Sequence, residues 1–188
     1  MAKRKAKKIE YFAVVKGRID EPTIFSSWGD AHPRVTGCES IHKGFPTIEE
    51  ARNYMFENRV PKPKEDLKEG AGETTPIPNS LYYYAVASGD KPGIYPYCGE
   101  QGSKQQVTEM SGSCHKRFRT QQQAEDFIKD WKETVASLYL AAIKNALDEG
   151  LRPKDMKFRV EDVFSLPSND SDGSEETLRN KLGDLSIE

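Results

Sequence analysis

The sequence predicts an α+β protein made of two small modules, each with the element order β-β-α-β-α, followed by a helical extension. Three observations predict this fold: sequence blocks that occur twice, aromatic and β-branched runs that end at a glycine, and a helix-capping motif near the end of each copy. Each module is therefore expected to form a three-stranded antiparallel sheet with two helices.

The two halves of the chain share the same sequence blocks. FAVVKG at residues 12–17 reappears as YAVASG at residues 84–89, and HKGF at residues 42–45 reappears as HKRF at residues 115–118. The offset between matched residues stays between 70 and 73, so insertions and deletions fall in the connections. This is the pattern expected of two copies of one fold.

Each copy predicts a hairpin, a short helix, a third strand and a final helix. Runs that end at Gly17 and Gly89 are typical of strands entering turns. A helix-like stretch then ends near Val35 in the first copy and near Val107 in the second. The strands are expected at residues 11–15, 23–25 and 41–45, and again at residues 81–86, 93–95 and 113–118.

The final helix of each copy begins with a capping box. In Thr47-x-x-Glu50 and Thr120-x-x-Gln123 the Thr oxygen accepts from a free backbone N–H, and the Glu or Gln side chain returns the bond. After the second box an apolar stripe predicts a helix that continues to Gly150, a residue suited to the position after a helix C-terminus. The stripe consists of Phe127, Ile128, Trp131, Val135, Leu138, Tyr139, Ala142, Ile143 and Ala146.

Two interpretations of this stripe are open. In the first, it packs within the chain against residues 153–164, a shorter segment that folds back onto the helix. In the second, the helix after Phe127 pairs two chains in a homodimer.

Composition divides the chain into six segments. Residues 59–80 are rich in Pro, Gly and charge, which indicates an irregular linker between the modules. The segments are a basic disordered arm at 1–9, a first module at 10–58, a linker at 59–80, a second module at 81–133, a helical extension at 134–164 and an acidic disordered tail at 165–188.

The charge of the chain is unevenly distributed. The net charge is only −2, which does not by itself indicate a polyanion partner. Residues 1–9 nevertheless hold five bases and no acid, a pattern typical of a nuclear address or of a solvated tail. Residues 10–58 carry a net charge of −3 and residues 82–133 carry none. A nucleic-acid site in these modules therefore requires locally clustered bases.

The cysteines and the hydropathy indicate an intracellular location. Cys38, Cys98 and Cys114 form no C-x-x-C pair, and their odd number argues against a disulfide framework. No apolar run reaches the roughly 18–20 residues that a membrane span requires, so no membrane partner is expected. We expect a cytoplasmic or nuclear protein.

The repeated blocks resemble a known family. An aromatic-Ala-Val-x-x-Gly hairpin, then Ile-Phe-x-x-Trp, then Lys-x-Phe-x-Thr before an Ala-containing helix is similar to the N-terminal hybrid-binding domain of eukaryotic type 1 ribonuclease H and to the caulimovirus viroplasmin domain. Residues 11–57 and residues 82–130 carry the resemblance. Fungal proteins that contain only such domains are the nearest overall likeness.

The resemblance implies non-catalytic binding of RNA–DNA hybrid or double-stranded RNA. In the family, an aromatic residue and a Trp pack against the deoxyribose strand, Lys residues hold its phosphates, and backbone amides near the hairpin contact 2′-hydroxyls. The implied nucleic-acid-binding residues are Phe12, Lys16, Arg18, Trp28, His42 and Lys43 in the first copy, and Tyr84, Lys91, Tyr97, His115, Lys116 and Arg117 in the second.

Both copies depart from the family pattern. Gly44 occupies the place of a second Lys, and a His occupies the usual aromatic place in each copy, at His42 and His115. The second copy has Cys98 or Glu100 where the Trp is expected, with Tyr97 the nearest aromatic. These departures leave the nucleic-acid preference of the second module open.

No catalytic chemistry is expected. Asp170 and Asp172 lie in a DSDGS sequence that superficially resembles the first catalytic turn of ribonuclease H, but only fourteen residues follow it. The chain has no P-loop and no G-x-S-x-G motif, and its three His residues sit apart, with His42 and His115 at equivalent positions in separate modules. We therefore expect no enzyme, no cofactor and no metal site.

A rival interpretation is a scaffold of viroplasmin type that has lost nucleic-acid binding and assembles through protein contacts. Trp28 likewise fits either a core position or a ligand platform. The discriminating feature is a continuous basic patch on each module as opposed to scattered charges with an exposed apolar stripe.

Overall fold

The computed structural model describes residues 8–77, 80–89, 91–97, 113–152 and 154, and it confirms the predicted α+β fold class. The elements in chain order are β1 (Tyr11–Lys16), β2 (Thr23–Phe25), α1 (Trp28–Val35), β3 (Ile41–Phe45), α2 (Ile48–Glu57), β4 (Lys64–Asp66), β5 (Tyr82–Ser88), β6 (Gly93–Tyr97), β7 (Cys114–Phe118) and α3 (Gln121–Asp148).

The first module is a sheet with a helix on each face. β1 is central, with β2 and β3 antiparallel on either side of it. Because side chains alternate along a strand, Phe12 and Val14 pack against α1 while Ala13 packs against α2. The predicted β-β-α-β-α order is confirmed for residues 11–57.

The segment predicted to be an irregular linker adds a strand to this sheet. β4 pairs parallel to β2 at the sheet edge, and the backbone N–H of Ser26 donates to the Asp66 carbonyl at 3.1 Å. Arg52 of α2 binds Glu65 through two hydrogen bonds of 2.7 and 2.8 Å. The prediction that residues 59–80 are irregular is therefore wrong at β4, whose charged residues show no strand-like alternation in sequence.

The second module repeats the first sheet. Its strand order is β6-β5-β7, with both pairs antiparallel. The pairing of β1 with β3 shifts register between Val14 and Lys16, and the pairing of β5 with β7 shifts between Val86 and Ser88. Irregularities at equivalent positions support two copies of one fold. The helix predicted to end near Val107 lies outside the described residues.

Helix α3 joins the two modules. Phe127 and Trp131 pack into the core of the second sheet, and the same stretch of α3 lies against α1. Gly29 permits this approach, because a Cβ there would lie 2.5 Å from the Phe127 carbonyl oxygen. Arg34 donates to the Thr134 hydroxyl at 2.9 Å, and Thr134 donates to Asp30 at 3.1 Å. The modules are therefore docked on each other while their two sheets stay separate.

The length of α3 confirms the predicted continuation past Trp131. At its start both halves of the capping box form, whereas at α2 the Thr47 hydroxyl accepts from the Glu50 N–H. Gly150 follows the last turn with a φ of +86°, as expected for a residue after a helix C-terminus. None of the described helices is both long enough and apolar enough to cross a membrane.

The burial of the apolar side chains of α3 decreases along the helix. Phe127 and Trp131 are buried within the chain, Leu138 and Ile143 are half-buried, and Leu140 is 67% exposed. Intrachain packing therefore accounts for the first half of the stripe. The segment 153–164 that was predicted to cover it lies outside the described residues except for Lys154.

Candidate nucleic-acid interface

A groove of about 500 Å³ lies between edge strand β3 of the first module and edge strand β7 of the second. We call it the shared groove, because both copies of the repeated motif contribute to it. It is lined by Ile9, Phe12, Trp28, His42, Lys43, Gly44, His115 and Lys116.

Trp28 forms the aromatic wall of the shared groove. Its ring centroid lies 4.8 Å from that of Phe12 and 6.4 Å from that of His42. The planes of these two rings are tilted from the indole plane by 34° and 33°, respectively. Trp28 is half-buried, and it also packs against the core of the second module. The indole thus serves both as a packing element and as an accessible wall.

Lys43 lies at the rim of the shared groove on the far side of β3. Its register partner is Ala13, so its side chain follows the α2 face of the sheet, whereas His42 lies on the face that carries Trp28. The ammonium lies 5.5 Å from the centroid of Phe45 and 5.6 Å from that of Tyr54. The exposed Lys43 and the aromatic wall therefore flank β3 from opposite sides.

Gly44, which replaces the second Lys of the family pattern, lies under the N-terminal segment. A Cβ at this position would lie 2.6 Å from Cγ2 of Ile9. The Ile9 side chain thus occupies the space that a longer residue at position 44 would need. This explains why the first module offers a single Lys on β3.

Lys116 does not extend into solvent. Its ammonium lies 3.8 Å from Oε2 of Glu10 and 5.4 Å from the centroid of the Phe12 ring. Burial lowers the pKa of Lys116, and the charge and hydrogen bond of Glu10 only partly oppose that effect. The second module therefore directs this base into the contact between the modules.

Glu10 carries a fully buried carboxylate. It lies at the centre of a group of residues that we call the Glu10 network: Glu10, Thr74, Thr75, Lys116 and Arg119. Thr75 donates its backbone N–H to Oε1 at 2.8 Å and its hydroxyl at 2.5 Å, and the hydroxyl of Thr74 donates to Oε2. Burial raises the pKa of Glu10, but these bonds and the Lys116 charge outweigh it, so the pKa is lowered.

The Glu10 network connects the first module to the second through the linker. Arg119, which follows β7, donates to the Thr75 carbonyl at 2.6 Å, and its backbone N–H donates to the Thr74 carbonyl at 3.1 Å. Residues 74 and 75 are thus bound on one side by Glu10 and on the other by Arg119. These bonds therefore link the residue before β1 to the residue after β7.

His115 is the ring that the second module contributes to the shared groove. Its Nδ1 lies 2.7 Å from the Tyr84 hydroxyl, and the two rings stack with centroids 5.5 Å apart. Burial lowers the pKa of His115, with a further contribution from the nearby charge of Arg117, and burial also lowers the pKa of His42. Arg117 is exposed on the face of β7 that also carries His115.

The remaining predicted site residues do not line the shared groove. The Lys16 ammonium pairs with Glu39 at 2.8 Å, and the Arg18 guanidinium donates to the carbonyls of Pro33, Thr36 and Gly37 at the end of α1. Lys91 is exposed in the β5–β6 turn. Tyr97 pairs with Tyr82 in the sheet, and its side chain lies outside the described residues.

Two residues at and beside the groove were missed from the sequence. Ile9, which lines the groove, was assigned to the disordered basic arm, and Glu10, which binds Lys116, was given no role. Neither residue carries a local signal, because the partners of Glu10 lie 64 and 65 positions away in the chain.

These features define a class of protein: a tandem pair of small α+β modules, docked so that equivalent edge strands frame one aromatic and basic groove. The family model described as the Ribonuclease H1 N-terminal domain matches residues 10–55 and residues 82–128. Both segments belong to that family, which is associated with nucleic-acid binding, so the chain carries two copies of the domain. Neither the comparison with curated proteins nor that with solved structures gave a match.

Proposed function

We propose that the chain binds RNA-containing duplexes, either RNA–DNA hybrid or double-stranded RNA, without cleaving them, and that both modules contact one duplex at the shared groove. One observation carries the proposal: Trp28, His42 and Lys43 of the first copy and His115 of the second line the same groove. Two independent sites would instead place these residues on separate surfaces.

The chemistry of the groove suits a duplex of A-like form. Side chains do not read the deep major groove of such a duplex, so recognition depends on shape, sugars and phosphates. The half-buried Trp28 and the neighbouring His42 offer flat apolar surface to a sugar, and the exposed Lys43 offers a cation to the adjacent phosphate. One side of β3 thus contacts the sugar and the other side contacts the phosphate.

Docking of the modules affects affinity in a different way from a flexible tether. A flexible linker raises affinity through effective concentration, whereas docked modules lose little conformational freedom on binding. Since α1 packs against α3 and the Glu10 network bridges the modules, the groove is preorganised. Any disruption of this docking is expected to weaken binding without removing a contact residue.

The test compares hybrid, double-stranded RNA and double-stranded DNA at two salt concentrations, for the wild type and for Trp28→Ala. The proposed deoxyribose contact predicts that Trp28→Ala loses its preference for hybrid over double-stranded RNA. The matched control is Phe56→Ala, because Phe56 is 70% exposed on α2 and does not line the groove. Equal effects of the two variants, or no duplex binding by the wild type, would refute the proposal.

A second candidate function is protein assembly, which the far end of α3 favours. Leu140 and Leu147 are 67% and 47% exposed, and they lie seven positions apart, on the same side of the helix. Leu151, just beyond the helix, is 47% exposed. Sedimentation of the wild type and of a Leu140→Glu, Leu147→Glu variant tests a homodimer: a concentration-dependent dimer that the variant abolishes supports assembly, and a monomer in both refutes it.

A further inference from the structure

Two histidines, one from each module, line the shared groove. His42 lies on β3, and His115 lies at the corresponding register position on β7. His42 is exposed and His115 is half-buried. Histidine is the side chain that ordinarily changes its charge between about pH 5 and 8. The groove therefore holds two groups whose charge can respond to pH in the physiological range.

Each of these histidines is held through one ring nitrogen. Nδ1 of His42 lies 3.2 Å from the Ser40 hydroxyl, and Nδ1 of His115 lies 2.7 Å from the Tyr84 hydroxyl. A hydroxyl both donates and accepts hydrogen bonds, so each of these bonds can form with a neutral or with a protonated ring. A protonated ring then offers Nε2 to a ligand as a charged N–H donor.

The surroundings of the two rings favour their neutral form in the free protein. Burial lowers the pKa of both histidines, and the charge of Arg117 lowers the pKa of His115 further. Lys43 and Lys116 line the same groove, and the negative charge of Glu10 is taken up by Lys116. The other titratable groups on the elements packed around the rings are Lys8, His32, Tyr84 and the Lys16–Glu39 ion pair. Both histidines are therefore largely neutral at pH 7.

We infer that the shared groove binds its duplex more tightly at mildly acidic pH, because His42 and His115 take up protons and contact phosphates of the bound nucleic acid. The inference rests on the proposed function and deepens it by assigning a regulation to the same groove. Among the described residues that line the groove, Lys43 is the exposed base, so two protonated histidines add charge where phosphate binding requires it. A nearby phosphate favours the charged ring. Binding therefore takes up protons, and the affinity rises as the pH falls.

The experiment measures how the salt dependence of binding changes with pH. Binding of a short RNA–DNA hybrid to the full chain is followed by fluorescence anisotropy between about 50 and 200 mM salt, at about pH 7.5 and at about pH 5.5. The test variant combines His42→Gln and His115→Gln. The matched control is Lys43→Gln, which removes a cation from the same groove and keeps both histidines.

In the wild type, the slope of log affinity against log salt is expected to steepen by about one to two on acidification, since each phosphate contact contributes about 0.9. The double histidine variant is expected to lose this change, whereas Lys43→Gln is expected to show a shallower slope at both pH values and to keep the change. A wild-type slope that is equal at both pH values, or a change that persists without the two histidines, would overturn the inference while leaving the proposed function intact if Trp28→Ala still alters selectivity. Absence of binding by the wild type at both pH values would overturn both.

Discussion

The ammonium of Lys116 in β7 lies 3.8 Å from the carboxylate of Glu10, the residue that directly precedes β1. Equivalent register positions thus have different roles in the two copies, because Lys43 is exposed at the groove rim whereas Lys116 is directed into the contact between modules. The two modules are similar in fold, but Lys116 of the second binds Glu10 of the first, and this contact helps to hold the modules together.

Replacement of Glu10 tests whether the Glu10 network stabilises the fold. Glu10→Gln removes the partner charge of Lys116 and alters the acceptors of Thr74 and Thr75, so the free energy of unfolding is expected to fall by about 1–3 kcal/mol in urea titration. The control is Glu39→Gln, which removes the exposed partner of Lys16 and is expected to have little effect. Equal, small effects of the two changes would contradict a stabilising role for the network.

The lowered pKa of Glu10 predicts a pH dependence. A carboxylate with a lowered folded-state pKa stabilises the fold above its unfolded pKa and loses that contribution as the pH falls through the folded value. The stability difference between wild type and Glu10→Gln is therefore expected to be largest above about pH 4.5, the ordinary carboxyl value, and to shrink below it. Urea titrations at several acidic pH values measure it, and a difference that grows on acidification would contradict the assignment.

Replacement of Gly29 tests the close packing of α1 on α3. In an exposed helix, Gly→Ala stabilises by about 1 kcal/mol, but here the new Cβ would lie 2.5 Å from the Phe127 carbonyl oxygen. Gly29→Ala is expected to destabilise the fold by about 1–3 kcal/mol because the helices must separate. Thermal unfolding gives the sign directly, and a stabilised variant would show that the two helices are not in contact.

No hydrolysis of RNA–DNA hybrid is expected with magnesium or manganese. The residues matched to the family belong to its N-terminal domain, and the proposed role is binding alone. Gel analysis of labelled hybrid after prolonged incubation with pure protein measures this. Cleavage that disappears in an Asp170→Asn, Asp172→Asn variant would identify a catalytic tail and would contradict the prediction.

The elements of each module could be predicted from the sequence because their signals are local. The hairpins follow from aromatic and β-branched runs that end at Gly17 and Gly89, and the final helices follow from Thr47 and Thr120 as N-caps. These features need no information from distant residues. They also supported the resemblance that the family match confirms.

The arrangement of the modules could not be predicted in the same way. Gly29 shows no sign in sequence that it faces Phe127, and the bond between Thr134 and Asp30 spans 104 positions. Of the predicted site residues, Trp28, His42 and Lys43 line the shared groove, whereas Arg18 is bound to the end of α1. A long polar side chain forms hydrogen bonds with whichever partner the tertiary packing brings close.

The number of duplexes bound by each chain tests the shared groove most directly. Isothermal titration of a short RNA–DNA hybrid into the wild type is expected to give one duplex per chain. Trp28→Ala in the first module and His115→Ala in the second are each expected to weaken that same binding event, because both residues line one groove. Two duplexes per chain, with each variant abolishing one of two separate events, would contradict the account.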